Sequence, residues 1–321
     1  MSVNLGLIGC GRIGRIHAEC VAKIVDAQLL AYVDQNKEAA QALLQDFGGD
    51  YATTDADRVL NDDRITAVYI CTRHDSHAPI AIAAAKAGKH IMIEKPLSLS
   101  GDECQMISDV ITETGVYLMP AFKMRFYPLV QKAHAFIASP KVLVGQMMDN
   151  RWDDDIWCQN PVQGGANVYS QGCHTTDMLR FFAGSEPKRI WAVGGAITHP
   201  NHPCIDQCIA SIEFANGAAG SWIQGDAAVG QFTSKFFFEL FGDGRSVQLY
   251  DRLKKATFFD GQKTWTEHRD VEEGYQLENE QFIAAIRKQH PQPLTVNDGI
   301  QAMRMVIAAD LAIRTGQVQQ L

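Results

Sequence analysis

The 321-residue sequence has no CxxC pair, no low-complexity tract and no apolar run approaching the roughly 20 residues that a bilayer span requires. Its eight cysteines, at positions 10, 20, 71, 104, 158, 173, 204 and 208, fall mostly inside apolar segments. That placement suits reduced, buried thiols and argues against a disulfide framework. The first residues, Met1 to Ile8, lack the basic and long apolar stretches of a secretory leader, so a cytoplasmic location is expected. Positive charge is also in short supply. With 29 basic against 37 acidic side chains and a formal charge of −8, a general nucleic-acid or anionic-membrane surface is disfavoured, although a local basic pocket is compatible. What is present, 46% apolar and 21% charged residues, is ordinary globular composition, and the length suggests two domains.

From residue 3 to about residue 120, short apolar runs alternate with helix-period segments, the pattern of βαβ units around a parallel sheet. Strands are expected at 3–8, 29–33, 67–71, 90–93 and 116–119, with helices at 13–24, 37–47, 79–87 and 101–113. Beyond about residue 125 the runs lengthen and alternate, at 142–151, 189–198, 208–214, 219–224, 236–241, 247–250 and 257–259. Joints such as Ala215-Asn216-Gly217 and Gly242-Asp243-Gly244 favour antiparallel hairpins. Two final helices, about 277–288 and 298–314, flank a Pro291-Gln292-Pro293 break. The expected class is α/β: an N-terminal Rossmann dinucleotide-binding domain over 1–122, then an α+β domain over 123–321 with a large, mostly antiparallel open sheet.

The strongest local signal is Gly9-Cys10-Gly11-Arg12-Ile13-Gly14, a GxGxxG directly after an expected strand and at the start of an expected helix. Gly9 would allow the tight turn, Gly11 would let backbone approach a pyrophosphate, and Gly14 would let helix and strand pack closely. The phosphates would then sit at the positive end of the helix dipole, beside Arg12 and Ile13. Asp34 closes the second strand, where a carboxylate accepts hydrogen bonds from ribose hydroxyls and repels a 2′-phosphate. Gln35 follows it in place of a phosphate-clamping arginine, which favours NAD over NADP. The structural alternative is that Asp34 caps the next helix.

At Glu94-Lys95-Pro96, after the expected 90–93 strand, the sequence begins to resemble the Gfo/Idh/MocA family of glucose–fructose oxidoreductases and inositol dehydrogenases. Thr72-Arg73-His74-Asp75-Ser76-His77 occupies the place of that family's TPNxxH segment. Phe122-Lys123-Met124-Arg125-Phe126-Tyr127-Pro128 is similar to its FNxRFxP crossover. Gly164-Gly165 with Gly172-Cys173-His174-Thr175-Thr176-Asp177 is similar to its GG…DxGxHxxD block. The resemblance implies cofactor contacts from Thr72, Arg73, His77, Glu94, Lys95 and Lys123, and catalytic roles for Lys95 and His174. It also implies a sugar or cyclitol substrate and a homodimer or homotetramer formed through an apolar face of the second-domain sheet.

Elementary chemistry agrees with that pair. Oxidising a secondary alcohol removes the hydroxyl proton as hydride leaves carbon, and an imidazole, ordinarily titrating near neutrality, suits the exchange. A lysine ammonium can hydrogen-bond the same oxygen and stabilise its alkoxide character. Bland readings stand beside these: a solvated strand-end lysine, and a histidine that caps the start of a helix.

Three departures from the family pattern matter. Ser170 stands four residues before His174, where the family usually has aspartate, so either Ser170 with Gln171 binds substrate differently or another acid takes over. The nearest is Asp177, which along a helix more naturally braces backbone or a strand. Arg73, His74 and Lys123 add positive charge, to meet either a substrate anion, cofactor phosphates, or simply the Asp75 and Glu94 carboxylates. In the second domain, Arg151 and Trp152 at a strand end form a pattern found in carbohydrate sites; the alternative is that Trp152 is core. Asp153-Asp154-Asp155 reads as a solvated loop and His199-Pro200-Asn201-His202-Pro203-Cys204 as a proline-rich turn, so no metal is expected. Two rivals to a dehydrogenase remain: a glycosidase that uses NAD transiently, and a non-catalytic dinucleotide-sensing regulator.

Overall fold

Continuous apolar runs can be buried on both faces only at the centre of a parallel sheet, and the first half of the chain supplies several of them. The computed structural model describes residues 2–229, 234–269, 274–288 and 291–321. Its first half alternates β1 (Val3–Ile8), α1 (Arg12–Val21), β2 (Ala27–Val33), α2 (Lys37–Phe47), β3 (Tyr51–Thr53), α3 (Ala56–Leu60), β4 (Ala67–Ile70), α4 (His77–Lys86), β5 (His90–Ile93), α5 (Gly101–Thr114) and β6 (Leu118–Pro120). The six strands pair in parallel in the order β3-β2-β1-β4-β5-β6, the doubly wound Rossmann order. All four β4 residues are buried, whereas β3 is only half-buried at the edge. The helix starts carry readable caps. Asn36 accepts the Glu38 and Ala39 N–H groups at α2, and Ser100 accepts that of Glu103 at α5.

The second half begins with α6 (Pro128–Phe136) and β7 (Val142–Asn150), followed by α7 (Ala166–Ala183), β8 (Pro187–Gly195), β9 (Gln207–Phe214) and β10 (Ala219–Ala228). Then come β11 (Phe236–Gly242), β12 (Arg245–Tyr250), β13 (Lys255–Phe259), β14 (Thr264–His268), α8 (Gly274–Ile286), α9 (Val296–Thr315) and β15 (Gln319–Gln320). Nine of these strands form one sheet in the order β14-β13-β12-β11-β7-β10-β9-β8-β15. Every adjacent pair is antiparallel except β7 with β10, where the chain crosses over. Helix α7 lies against the inner face of this sheet. At Gly172 an added Cβ would stand 2.7 Å from the Trp222 ring, so the helix approaches β10 as closely as a residue without a side chain allows. Trp222, Phe182 and Phe238 are fully buried there, and truncating a core aromatic of this kind costs about 3–5 kcal/mol. On the outer face, alternation leaves Trp191, Val193 and Ile209 exposed.

The chain divides into two compact units, Met1–Lys123 with Gly274–Ile300, and Met124–Glu273 with Gln301–Leu321. Helix α8 therefore packs with the Rossmann strands, although it follows the second sheet in the chain. Tyr69 meets Phe282 edge-on at 5.5 Å, and the Tyr117 hydroxyl donates to the Leu294 carbonyl at 2.8 Å. All eight cysteines are free thiols. Among the described residues, no helix is long and apolar enough to cross a membrane.

Candidate active site

The candidate residues fall in both units. In the first, the turn from β1 into α1 is shaped by its glycines. Gly9 holds φ at +98°, and a Cβ there would stand 2.5 Å from the Cys71 carbonyl oxygen; at Gly14 it would stand 2.0 Å from that of Gly9. Gly11 differs, since nothing lies within 4 Å of where its Cβ would be. It is the N-cap residue of α1, no side chain caps this end, and the first turn holds no acidic residue. Open space before an uncapped helix start is a cradle for an anionic group. Arg12 is exposed beside it and Ile13 half-buried.

Asp34 braces the same turn. Its carboxylate accepts the Cys10 N–H at 2.7 Å and the Asn36 N–H at 2.9 Å, and the side chain remains half-buried. The capping alternative is thereby corrected, because Asn36, not Asp34, caps α2. With lone pairs left over on both oxygens, Asp34 can still accept from ribose hydroxyls. The turn and Asp34 thus fit a dinucleotide.

Glu94, Lys95 and Pro96 leave β5 through a cis Lys95-Pro96 peptide. Glu94 is buried; its Oε2 accepts the Lys95 N–H at 3.1 Å and its Oε1 faces His17 Nε2 at 3.2 Å. His17 Nδ1 in turn faces the Asn279 amide nitrogen, which also donates to the Tyr275 carbonyl. Burial pushes the Glu94 carboxyl up, but His17 and Lys95 more than offset this and leave it below its ordinary value. Glu278 lies fully buried with neither oxygen hydrogen-bonded among the described residues. Burial and then the Glu94 charge raise it well above its ordinary value, only partly offset by Lys123.

His77 is fully buried with Nδ1 2.7 Å from the Pro96 carbonyl and Nε2 3.2 Å from that of Thr72. It ties the Thr72 loop to the Lys95-Pro96 turn, and burial lowers its basicity despite those carbonyls. Thr72 accepts from the Ser76 hydroxyl at 2.7 Å. Arg73 is exposed and pairs with Asp75 at 3.5 Å, while the Lys123 ammonium stands 3.8 Å above the Tyr275 ring. Both extra cations thus have partners inside this unit.

In the second unit, His174 lies in the interior of α7 and is buried, which corrects the expectation that it opens a helix. Gly165 and Ala166, both at positive φ, set the true start eight residues earlier. Ser170 is buried one turn before His174. Asp177, one turn after it, accepts both Nε (2.9 Å) and Nη2 (2.5 Å) of Arg125. The acid is therefore engaged in bracing the crossover segment.

Arg151 is exposed and turns back on its own loop, donating to the Trp152 carbonyl and to Asp154. Trp152 is half-buried, its N–H donating to Asp226 at 3.1 Å. Sequence reasoning missed the role of His199. It is buried with Nδ1 2.6 Å from Asp154 and Nε2 2.7 Å from Asp226. Although burial disfavours its charge, the two carboxylates raise its pKa above the ordinary value. A histidine among prolines carries no signal of two carboxylates distant in sequence. Among the described residues, no group of three or more His, Cys, Asp or Glu could hold a metal ion.

Residues 3–122 match the oxidoreductase family with an NAD-binding Rossmann fold, and residues 142–321 match the C-terminal alpha/beta domain of the same family. The inositol 2-dehydrogenase of Rhizobium meliloti is 29% identical over 98% of this chain and 97% of its own. The levoglucosan dehydrogenase of Pseudarthrobacter phenanthrenivorans is 30% identical over 78% of this chain and 74% of its own. A solved levoglucosan dehydrogenase, in complex with NADH and levoglucosan, has the same fold at a TM-score of 0.91, with 24% identity over 100% of this chain and 99% of that one. The chain carries an NAD-binding Rossmann domain and belongs to the Gfo/Idh/MocA oxidoreductase family.

Proposed function

We propose that this protein is a dehydrogenase that moves hydride between NAD(H) and a secondary alcohol of a cyclic polyol or sugar, with inositol-type substrates first among them. The observation that carries the reading is the open, uncapped helix start at Gly11, braced by Asp34. The named relatives, acting on inositol and levoglucosan, support the substrate class. A bound nicotinamide supplies the hydride acceptor or donor. His174 takes the hydroxyl proton as the alcohol is oxidised, and the Lys95 ammonium stabilises the negative charge that grows on that oxygen. Glu94, held by His17, fixes the Lys95 backbone at the cis turn. Ser170 offers a hydroxyl where a charged partner would otherwise stand, so His174 works without a carboxylate from that position.

Arg73 and Lys123, already engaged with Asp75 and Tyr275, favour an uncharged substrate over an anion. The exposed Trp191, Val193 and Ile209 on one sheet face support pairing of two copies through that face. The test is a panel of inositols, sugars and sugar acids with NAD+ and with NADP+, followed at the reduced-nicotinamide absorbance band. Reduction of NAD+ by neutral polyols is expected. Release of aglycone from glycosides with no accumulation of NADH would replace this reading with a redox-assisted glycosidase.

A further inference from the structure

Trp222, Gln224, Thr175 and Asn167 form a chain of hydrogen bonds inside the second unit whose donor directions can be deduced. An indole nitrogen can only donate, and Trp222 Nε1 meets Gln224 Oε1 at 3.4 Å. The Thr175 hydroxyl donates to the same oxygen at 3.0 Å. Gln224 must therefore present its amide nitrogen on its other side, and that nitrogen donates to Asn167 Oδ1 at 2.7 Å. This fixes the orientation of the Asn167 amide and leaves its Nδ2, with two N–H bonds, outside the chain. Asn167 is fully buried, and Nδ2 has no hydrogen-bond partner among the described residues. A group like Nδ2 is not left dry without cost, so a partner from outside the chain is called for.

Its place on α7 says which partner. Asn167, Ser170 and His174 stand at i, i+3 and i+7, one stripe of the helix, with Asn167 and His174 separated by about 10 Å of axial rise. Resting on the functional reading above, we infer that Asn167 Nδ2 donates a hydrogen bond to a second hydroxyl of the polyol, on a different ring carbon from the one oxidised at His174. The four side chains of the network are all uncharged, which matches a neutral hydroxyl oxygen. Asn167 thereby sets which hydroxyl pattern is accepted, while taking no part in the proton transfer.

The experiment compares full-length wild type, Asn167→Ser and Asn167→Asp on a panel of cyclitols and sugars and on their mono-deoxy analogues. The aspartate keeps the shape and the acceptor for Gln224 while removing the donor. Wild type is expected to reject one deoxy analogue by roughly 10- to 100-fold in kcat/KM. Both variants should lose a similar factor on the parent compound and no longer distinguish it from that analogue, with NADH affinity unchanged. A wild type indifferent to every deoxy analogue, or variants that keep the wild-type discrimination, would overturn the assignment and leave Nδ2 serving only a water. A wild type inert on the whole panel would instead refute the functional reading itself, so the two failures are distinguishable.

Discussion

Two glycines of one turn, Gly11 and Gly14, should separate cofactor binding from folding. At Gly14 a Cβ would lie 2.0 Å from the Gly9 carbonyl oxygen, an atom of backbone that cannot swing aside. Relieving that contact means displacing α1 from β1, and overpacking of this kind costs about 1–3 kcal/mol or more. Gly14→Ala should therefore lower Tm by roughly 2–4 °C for each kcal/mol. Gly11 has φ −73° and ψ −164°, open to any residue, and nothing within 4 Å of its Cβ position. Exchanging glycine for alanine at an N-cap costs a few tenths to about 1 kcal/mol. Gly11→Ala should thus fold almost normally, yet its methyl group would fill the space through which a pyrophosphate approaches the helix start. A loss of about 1–3 kcal/mol in binding corresponds to roughly 5- to 150-fold in Kd. The assays are thermal unfolding without cofactor and NADH titration by fluorescence. If Gly11→Ala binds NADH like wild type, or destabilises the protein as much as Gly14→Ala does, the cradle assigned to this turn is wrong.

Three further outcomes follow from buried charge and exposed surface. Because the folded pKa of His199 is raised, its contribution to stability is complete below the ordinary histidine value of about 6.5 and is lost as pH rises through the raised value. In denaturant unfolding, the deficit of His199→Gln relative to wild type should be largest at mildly acidic pH and shrink on the alkaline side; a deficit independent of pH would contradict the imidazolium. Arg125→Met strands the buried Asp177 carboxylate and should cost about 3–5 kcal/mol in urea unfolding, and a cost below about 1 kcal/mol would show that the pair is not holding the crossover. Trp191→Lys combined with Ile209→Lys should reduce the mass measured by light scattering while Tm stays close to wild type; an unchanged mass would remove this sheet face as the pairing surface.

Local features were the legible ones. The alternation of apolar runs placed β1, α2 and β5 at their observed bounds, because strands buried on both faces and a capped amphipathic helix carry their signals in adjacent residues. Strand β3, three half-buried residues at an edge, has too little pattern to read. The return of α8 to the Rossmann unit could not be foreseen, since it depends on pairings such as His17 with Asn279, whose separation in sequence leaves no local mark. The same applies to the site. GxGxxG and Asp34 were readable because the turn needs those residue types next to one another. That Glu94 is clasped by His17, that Asp177 pairs with Arg125, and that Gln224 donates to the Asn167 amide oxygen are products of tertiary contact. The motif marks His174, but its place inside a helix is not legible, since Gly165 and Ala166, where α7 begins, look like loop in sequence.

In the proposed reaction Lys95 and His174 carry the proton handling for hydride transfer to NAD. That role is tested most directly by the initial rate of NADH formation with the best polyol of the panel, in wild type, Lys95→Ala and His174→Ala, alongside NADH affinity. Removing a positioned acid or base costs about 10²- to 10⁴-fold. Losses of that order in kcat are expected for both variants, with NADH still bound. Wild-type turnover in either variant would contradict that role.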